Sequence, residues 1–388
     1  MIQIEQGPTD PPAVGTGARI NRSVGLDVVR SLAILFVLMS HFGMFFASWS
    51  GCSLPIAFAV GGFFGVELFF VLSGFLIGRL LIDILDTGVS GRAWLVFMVR
   101  RWVRTLPLYF VCVALLALVW PPEFWVPGDA ALWRDLPWFL TLTQNLAWPM
   151  VGGWFGVSWS LTVEEWFYLS FSGLLFAAAF WTNRRLAFWG VVALFLVAPA
   201  WLRWRLPESV NWDEVTSKVV LYRLDAIAFG VMAAWLSVRN TALVRYPRAL
   251  LVAGLVIIGL LWGGWLMEMV HMRGHVRATF MFDVASLGFA LCMPAATLRW
   301  DAPRWLAFVA ASISARSYAL YLIHLSLVEI ITFDRLPVRL GNTGAAIATV
   351  AIAYGLADLS FRFFESPLLR LRPRQHARRD AATYTHRR

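Results

Sequence analysis

Val28-Val29-Arg30-Ser31-Leu32-Ala33-Ile34-Leu35-Phe36-Val37-Leu38-Met39-Ser40-His41-Phe42-Gly43-Met44-Phe45-Phe46-Ala47-Ser48-Trp49 is an apolar run that holds two ionisable residues, Arg30 and His41. A stretch of about 20 such residues is long enough to cross a bilayer as a helix, so this segment sets the fold class: an all-α chain that lives in a membrane. Ionisable residues inside such a run are costly and usually functional. Eleven positions separate the two. At about 100° per residue they return almost to one helical face, roughly 16 Å apart along the axis. The spacing puts a cation near one membrane surface and an imidazole near the bilayer centre. That suits a reaction joining a ligand from one side to chemistry deeper inside.

The whole chain agrees with its first apolar run. It is 59% hydrophobic and 14% charged with a mean hydropathy of +0.68, whereas soluble domains carry about a quarter charged residues. The 21 tryptophans and 30 phenylalanines fit the aromatic belts of membrane interfaces. A formal charge of +10 raises nucleic acid as a partner, but the basic residues are scattered between apolar runs. Orientation and contact with membrane lipids explain them instead. Cys52, Cys112 and Cys292 have no metal or redox spacing and read as small apolar packing residues.

Apolar stretches of spanning length number ten: residues 28–49, 60–82, 102–120, 158–181, 186–202, 219–237, 249–267, 279–297, 315–333 and 343–364. With the N-terminus inside, 22 basic residues fall on inner segments and 8 on outer ones, the asymmetry of the positive-inside rule. The expectation is ten transmembrane helices with both termini cytoplasmic, in a bacterial inner membrane. Residues 1–25 read as a cytoplasmic tail without a signal peptide's apolar core, 26–367 as the membrane domain, and 368–388 as a basic cytoplasmic tail. No internal repeat of a fixed period is visible, and no pair of spans has the broken-helix symmetry of a transporter.

Polar residues inside these spans are the candidates for chemistry. Glu67 lies in the second span, ahead of Ser73-Gly74, a packing or kink site; it is either a structural ion-pair member or catalytic. Arg101 and Arg104, i and i+3 at the inner end of the third span, share a face. They are topology signals, or a fork of guanidiniums matched to phosphate oxygens. Ser160, Glu164 and Tyr168 recur at i, i+4 and i+8 on one face of the fourth span, with Glu165 turned about 100° away toward another helix. Glu164 comes out at a depth comparable to His41, and a histidine oriented by a carboxylate is the minimum for general-base catalysis. Arg223 and Asp225 in the sixth span are expected to neutralise charges elsewhere in the bundle. Ser317, Tyr321 and His324 make a polar stripe in the ninth, where His324 is a hydrogen-bonded structural residue or a second catalytic imidazole. The tenth ends in Arg362, Glu365 and the stop Pro367. Trp120, Trp125, Trp133, Trp138, Trp148, Trp154 and Trp159 in or beside an outer loop anchor the interface or offer a platform to sugar rings. His271 and His275 lack a third ligand, and no metal site is expected.

The ordered set resembles the acyltransferase-3 family of integral-membrane O-acyltransferases, which modify bacterial surface polysaccharides, peptidoglycan and secondary metabolites such as macrolides. The matching elements run from Leu26 to Pro367. They are the Arg30–His41 pair, Gly65–Ile77, Arg101 with Arg104 and Pro107, Ser160–Tyr168, Arg223–Asp225, Tyr318–His324 and Glu365–Pro367. The resemblance implies transfer of an acyl group, acetyl being the expected one, from a coenzyme A thioester on the cytoplasmic side to a hydroxyl of a carbohydrate, glycan or secondary metabolite. It implies His41 as base, Arg30, Arg101 and Arg104 as ligands of the acyl-CoA phosphates, and Glu164 as support. Ser160, Tyr168, Asp225, Tyr321 and His324 are further supporting candidates. Glu67 stands where the family often has Asp, and no hydrolase-like domain is expected after the last span, so any second transfer step is expected to need a separate protein or none. Against this stands a transporter of a small anionic or lipid-linked solute, which intramembrane Arg, His and Glu fit equally well.

Overall fold

In hydrocarbon every backbone polar group needs an internal partner, and the long apolar runs meet that demand as helices. The computed structural model describes residues 23–51, 56–119, 131–239, 241–266, 275–325 and 336–373, which contain helices and turns and no strand. In chain order the helices are α1 (Val24–Ser50), α2 (Ile56–Thr87), α3 (Gly91–Val119), α4 (Ala131–Leu140), α5 (Ser158–Trp181), α6 (Arg184–Trp204), α7 (Leu224–Val238), α8 (Pro247–Leu266), α9 (His275–Ala296), α10 (Arg304–Ile323), α11 (Leu336–Ser360) and α12 (Ser366–Arg370). Residues 1–22 and 374–388 of the two expected tails, with Cys52, Trp120, Trp125 and His271, lie outside the described residues, as does the side chain of His275.

Among the described residues, eight helical stretches are long and apolar enough to cross a membrane: those of α1, α2, α3, α6, α8, α9 and α10, and Arg339–Arg370. Two of the ten expected spans, 158–181 and 219–237, fall outside this set. The 15 residues of α7 extend only about 22 Å against a hydrocarbon core of about 30 Å. In α5, Glu164 and Glu165 with their serine, threonine and tyrosine neighbours lower the apolar character of a helix otherwise long enough. The ninth span also moves, from 315–333 to Arg304–Ile323. Arg316 interrupts the apolar run in the sequence but sits inside the helix, where its guanidinium meets Asp358 of α11 at 2.5 Å.

Nor does Pro367 stop the last span. A π-helical turn, Phe361–Glu365, leads directly into α12, whose first turn accepts a proline because its N–H has no helical partner there. The chain thereby continues to Pro373, whose carbonyl accepts from Arg100 Nη1 on α3.

Small residues let the central helices approach closely. A Cβ on Gly74 of α2 would lie 1.9 Å from the Ile227 carbonyl oxygen of α7, and one on Gly230 of α7 would lie 2.0 Å from that of Val71. Only glycine fits at either position, which explains Ser73-Gly74 as a packing site. Helices α1 and α10 run in the same direction side by side: Ser31 Oγ donates to the Ala310 carbonyl at 2.9 Å, and His41 meets His324 further along. Two apolar cores result, one built on α2, α5, α6, α7 and α9, the other on α1, α3, α4, α10 and α11. The buried thiols of Cys112 and Cys292 are free, and Trp154 packs inside the second core, 4.2 Å from the Phe139 ring. Trp133 and Trp138 remain exposed.

Candidate active site

Where the two cores meet, a cavity opens among α1, α2, α3, α5 and α10. It encloses about 820 Å³ of non-protein space, part of it open to solvent. Arg30, Arg101 and Arg104 line it, together with Ser73, Ser160, Glu164, Tyr168 and Tyr321. Two helices, α1 and α3, thus deliver three arginines, and α2, α5 and α10 deliver a row of hydroxyls into the same space.

Arg30 Nη1 reaches Ser314 Oγ on α10 at 3.4 Å, and that hydroxyl donates to Asp27 Oδ1 at 2.6 Å. Arg101 and Arg104 form no ion pair among the described residues, and Arg101 Nε is buried without a hydrogen-bond partner. Glu164 faces the same cavity, but its Oε2 accepts from Tyr168 Oη at 2.8 Å, and Tyr168 in turn accepts from Ser73 Oγ at 2.6 Å. Glu165, turned away as its position requires, accepts from Thr105 Oγ1 of α3 at 2.6 Å. The carboxylates therefore have hydroxyl partners, and the two guanidiniums keep their donors unclosed.

The sequence offered no sign of a further cation at this mouth. Past α12, Arg372 has Nε and Nη2 buried without partners. Burial, and then the charges of Arg104, Arg101 and Arg100, bring its guanidinium down to about 10, still charged at neutral pH. Arg372 had been counted with the basic tail. The usable signal was Pro367 followed by Leu368, Leu369 and Leu371, a helix start with an apolar face.

At the other end of the cavity Ser160 Oγ and Tyr321 Oη are 2.6 Å apart. His324, buried at the C-terminal end of α10, lies 5.8 Å ring to ring from Tyr321. His324 Nε2 stands 3.0 Å from His41 Nδ1, which is also 3.1 Å from the Val37 carbonyl oxygen. The expected approach of Glu164 to His41 is not found. Ser160, not Glu164, comes to the level of Tyr321, and Glu164 lies one turn, about 6 Å, further along, beside the arginines. The partner of His41 is a second imidazole.

Glu67 and Asp225 lie outside this cavity. Glu67, fully buried on α2, accepts from Arg223 Nη2 through Oε2 and from Ser286 Oγ through Oε1. Arg223 also lies over the Phe282 ring at 3.9 Å, a favourable cation–π placement. Next to it, Arg203 reaches Asp225 at 2.6 Å and Asp283 at 2.7 Å. The sequence put Arg203 in an outer segment; it is instead buried in the last turn of α6, where two carboxylates hold it. Among the described residues no group of three His, Cys, Asp or Glu could hold a metal.

Fold and site together define a multi-pass membrane protein with an arginine-lined cavity and a histidine pair inside its helical bundle. Residues 23–358 match the acyltransferase domain of the acyltransferase-3 type, and the chain belongs to that family of membrane acyltransferases. It is 28% identical to the peptidoglycan O-acetyltransferase OatA of Listeria monocytogenes over 88% of this chain and 55% of that protein. It is 26% identical to the putative peptidoglycan O-acetyltransferase YrhL of Bacillus subtilis, over 89% and 54%. A putative O-acetyltransferase of Staphylococcus aureus is 25% identical over 88% and 56%. The chain spans about half the length of these curated relatives. No solved structure matches it. The apolar helices and the bacterial relatives assign it to a bacterial inner membrane as a multi-pass protein.

Proposed function

We propose that this protein transfers an acetyl group from acetyl-CoA to a carbohydrate hydroxyl, with both termini cytoplasmic and the donor entering at the arginine end of the cavity. The observation that carries the reading is the pair Arg101 and Arg104, half-buried in the bundle with no ion pair among the described residues and with Arg101 Nε buried and unpartnered, at one end of a cavity whose lining reaches Tyr321 on the helix of His324. Buried charges are ordinarily paired, so unclosed guanidiniums suit an anion that arrives from outside. Phosphate oxygens match them. Arg30, Arg101 and Arg104 would hold the phosphates of the donor, which supplies an activated acyl group as its thioester. Phe69, Leu72 and Leu76 on the α2 wall would exclude water from the thioester arm.

His41 takes the proton of the attacking hydroxyl as general base; the ester C–O bond forms as the thioester C–S bond breaks, and the proton passes from His41 to the leaving thiolate, which departs as coenzyme A. Glu164 supports the site, accepting from Tyr168 Oη beside the arginines without an ion pair to them. The relatives named as peptidoglycan O-acetyltransferases support a glycan acceptor, with the exposed Trp133 and Trp138 as apolar faces for a sugar. The test is labelled acetyl-CoA with protein in nanodiscs and a panel of glycan fragments and hydroxylated metabolites. Acceptor-dependent consumption of acetyl-CoA is the expected result. His41→Ala should lower transfer by about 10²–10⁴-fold, the usual loss with a general base, while the protein still binds coenzyme A. Near-normal transfer by that variant removes His41 from the mechanism. No consumption with any acceptor, alongside solute movement in proteoliposomes, makes the protein a transporter.

A further inference from the structure

We infer that His324 is a positioning residue: it fixes the tautomer of His41 so that Nε2, and not Nδ1, carries the free lone pair. This rests on the reading of His41 as the base. Hydrogen-bond roles alone assign each ring proton. His324 Nδ1 lies 2.8 Å from the carbonyl oxygen of Tyr321 and 3.0 Å from that of Leu320. Carbonyl oxygens only accept, so Nδ1 of His324 carries its proton. In a neutral imidazole the other nitrogen is then an acceptor, and His324 presents a bare Nε2.

That bare nitrogen is 3.0 Å from His41 Nδ1, and the Val37 carbonyl stands at 3.1 Å from the same atom. Both neighbours accept, so His41 Nδ1 must donate. Its proton sits there and Nε2 is left open. Two independent acceptors, one on α1 itself and one on α10, therefore select the same tautomer. The backbone supplies the chain of command: carbonyls at the end of α10 orient His324, and His324 orients His41. When His41 Nε2 takes the hydroxyl proton the ring becomes a cation, and its Nδ1–H bond to His324 strengthens as a charge-assisted one. No proton leaves Nδ1, so His324 ends each turnover as it began.

The arrangement differs from a histidine held by a carboxylate. A neutral imidazole orients the ring without placing a full negative charge beside it.

The experiment combines a spectrum and a kinetic split on full-length protein in nanodiscs. With ring-¹⁵N histidine and a His41→Gln control to assign the signal, His41 in the wild-type protein should show a protonated Nδ1 and an unprotonated Nε2 at neutral pH. His324→Ala should lower kcat by about 10–100-fold, the loss typical for the partner that orients a functional histidine, with donor KM within about twofold. His324→Gln, whose amide oxygen can accept from Nδ1–H, should recover at least part of kcat. A His41 signal protonated at Nε2 in the wild-type protein overturns the inference, even if no His324 variant folds. So does a His324→Ala variant with unchanged kcat, or one whose loss lies in donor KM. If His41→Ala keeps its activity, the assignment of the base fails while the tautomer measurement stands by itself. If His41→Ala is inactive and the tautomer is the opposite one, only the role of His324 fails.

Discussion

Arg223 and Arg101 are both arginines sunk among apolar helices, and the protein treats them in opposite ways. Arg223 is closed on Glu67, which Ser286 completes, and it rests on the Phe282 ring. Beside it Arg203 is closed on Asp225 and Asp283. Arg101 and Arg104 face a cavity with Glu164 in the same space, yet they form no ion pair among the described residues: Glu164 accepts from the Tyr168 hydroxyl and Glu165 from that of Thr105. Near α2, α6, α7 and α9 a buried charge is an internal fastening. Near α3 it is an open valence. The same residue type thus marks structure where its partner is supplied within the bundle, and binding where the partner is withheld.

The sharpest way to break the comparison is to remove one member of the closed cluster. Glu67→Ala leaves Arg223 charged, buried and facing Phe282, and breaking such a pair costs about 3–5 kcal/mol. Thermal unfolding in detergent should show a large loss of stability and poor recovery of folded protein. Glu67→Leu combined with Arg223→Met removes both charges and should regain most of it, since apolar replacement of a buried pair is often neutral. A Glu67→Ala protein as stable as wild type would mean that the closed cluster does not hold the helices together.

The open cluster should respond the other way. Arg101→Ala or Arg104→Ala removes a cation that has no ion-pair partner among the described residues, so thermal stability should stay the same or rise. Donor KM should increase about 10–100-fold per arginine, as expected for a lost hydrogen bond to a charged group of about 1.5–3 kcal/mol. Coenzyme A supplies a readout apart from activity. A ligand that binds only the folded state raises its apparent stability, so the wild-type protein should gain thermal stability with coenzyme A and the variants should gain less. Loss of stability with unchanged donor dependence would place Arg101 with Arg223, as a structural residue.

The contrast between the two clusters was partly legible in the sequence. An arginine in an apolar run is visible as such, and the i, i+3 spacing of Arg101 and Arg104 puts them on one face. The turn of Glu165 away from Ser160, Glu164 and Tyr168 follows from 100° per residue, and it meets Thr105 as that geometry demands. What the sequence does not carry is the offset of one helix against another. Glu164 was brought to His41 by counting residues from estimated span ends, and an error of one turn is enough to replace a carboxylate by His324. The same uncertainty moves the ninth span, because the Asp358 that pairs with Arg316 inside the bundle cannot be read from the residues around Arg316. Partners across helices, such as Asp358 for Arg316 or Ser286 for Glu67, have no local signature. Pro367 illustrates the reverse error. Its chemistry allows either a stop or a first turn, and only the π turn before it decides.

Arg372 supplies the smallest and most discriminating test, because it stands between the two classes. Like Arg101 it has buried nitrogens without partners, but it lies past the last apolar helix and is partly exposed. Its electrostatic neighbours are the cations Arg104, Arg101 and Arg100, so nothing in the protein rewards its position, whereas an anion shared with Arg101 and Arg104 would. Solvent and salt weaken such a contact. Arg372→Ala should therefore raise donor KM by no more than about fivefold, the upper end for an exposed ion pair, with kcat and thermal stability unchanged. The effect should shrink as salt is added, while that of Arg101→Ala, shielded inside the bundle, should persist. The charge of Arg372 holds through neutral pH and is lost as pH rises through about 10, so its share of donor affinity should disappear in that direction. A KM increase as large as that of Arg101→Ala would move Arg372 into the buried part of the site. An unchanged KM at low salt would confine the donor's phosphates to Arg30, Arg101 and Arg104.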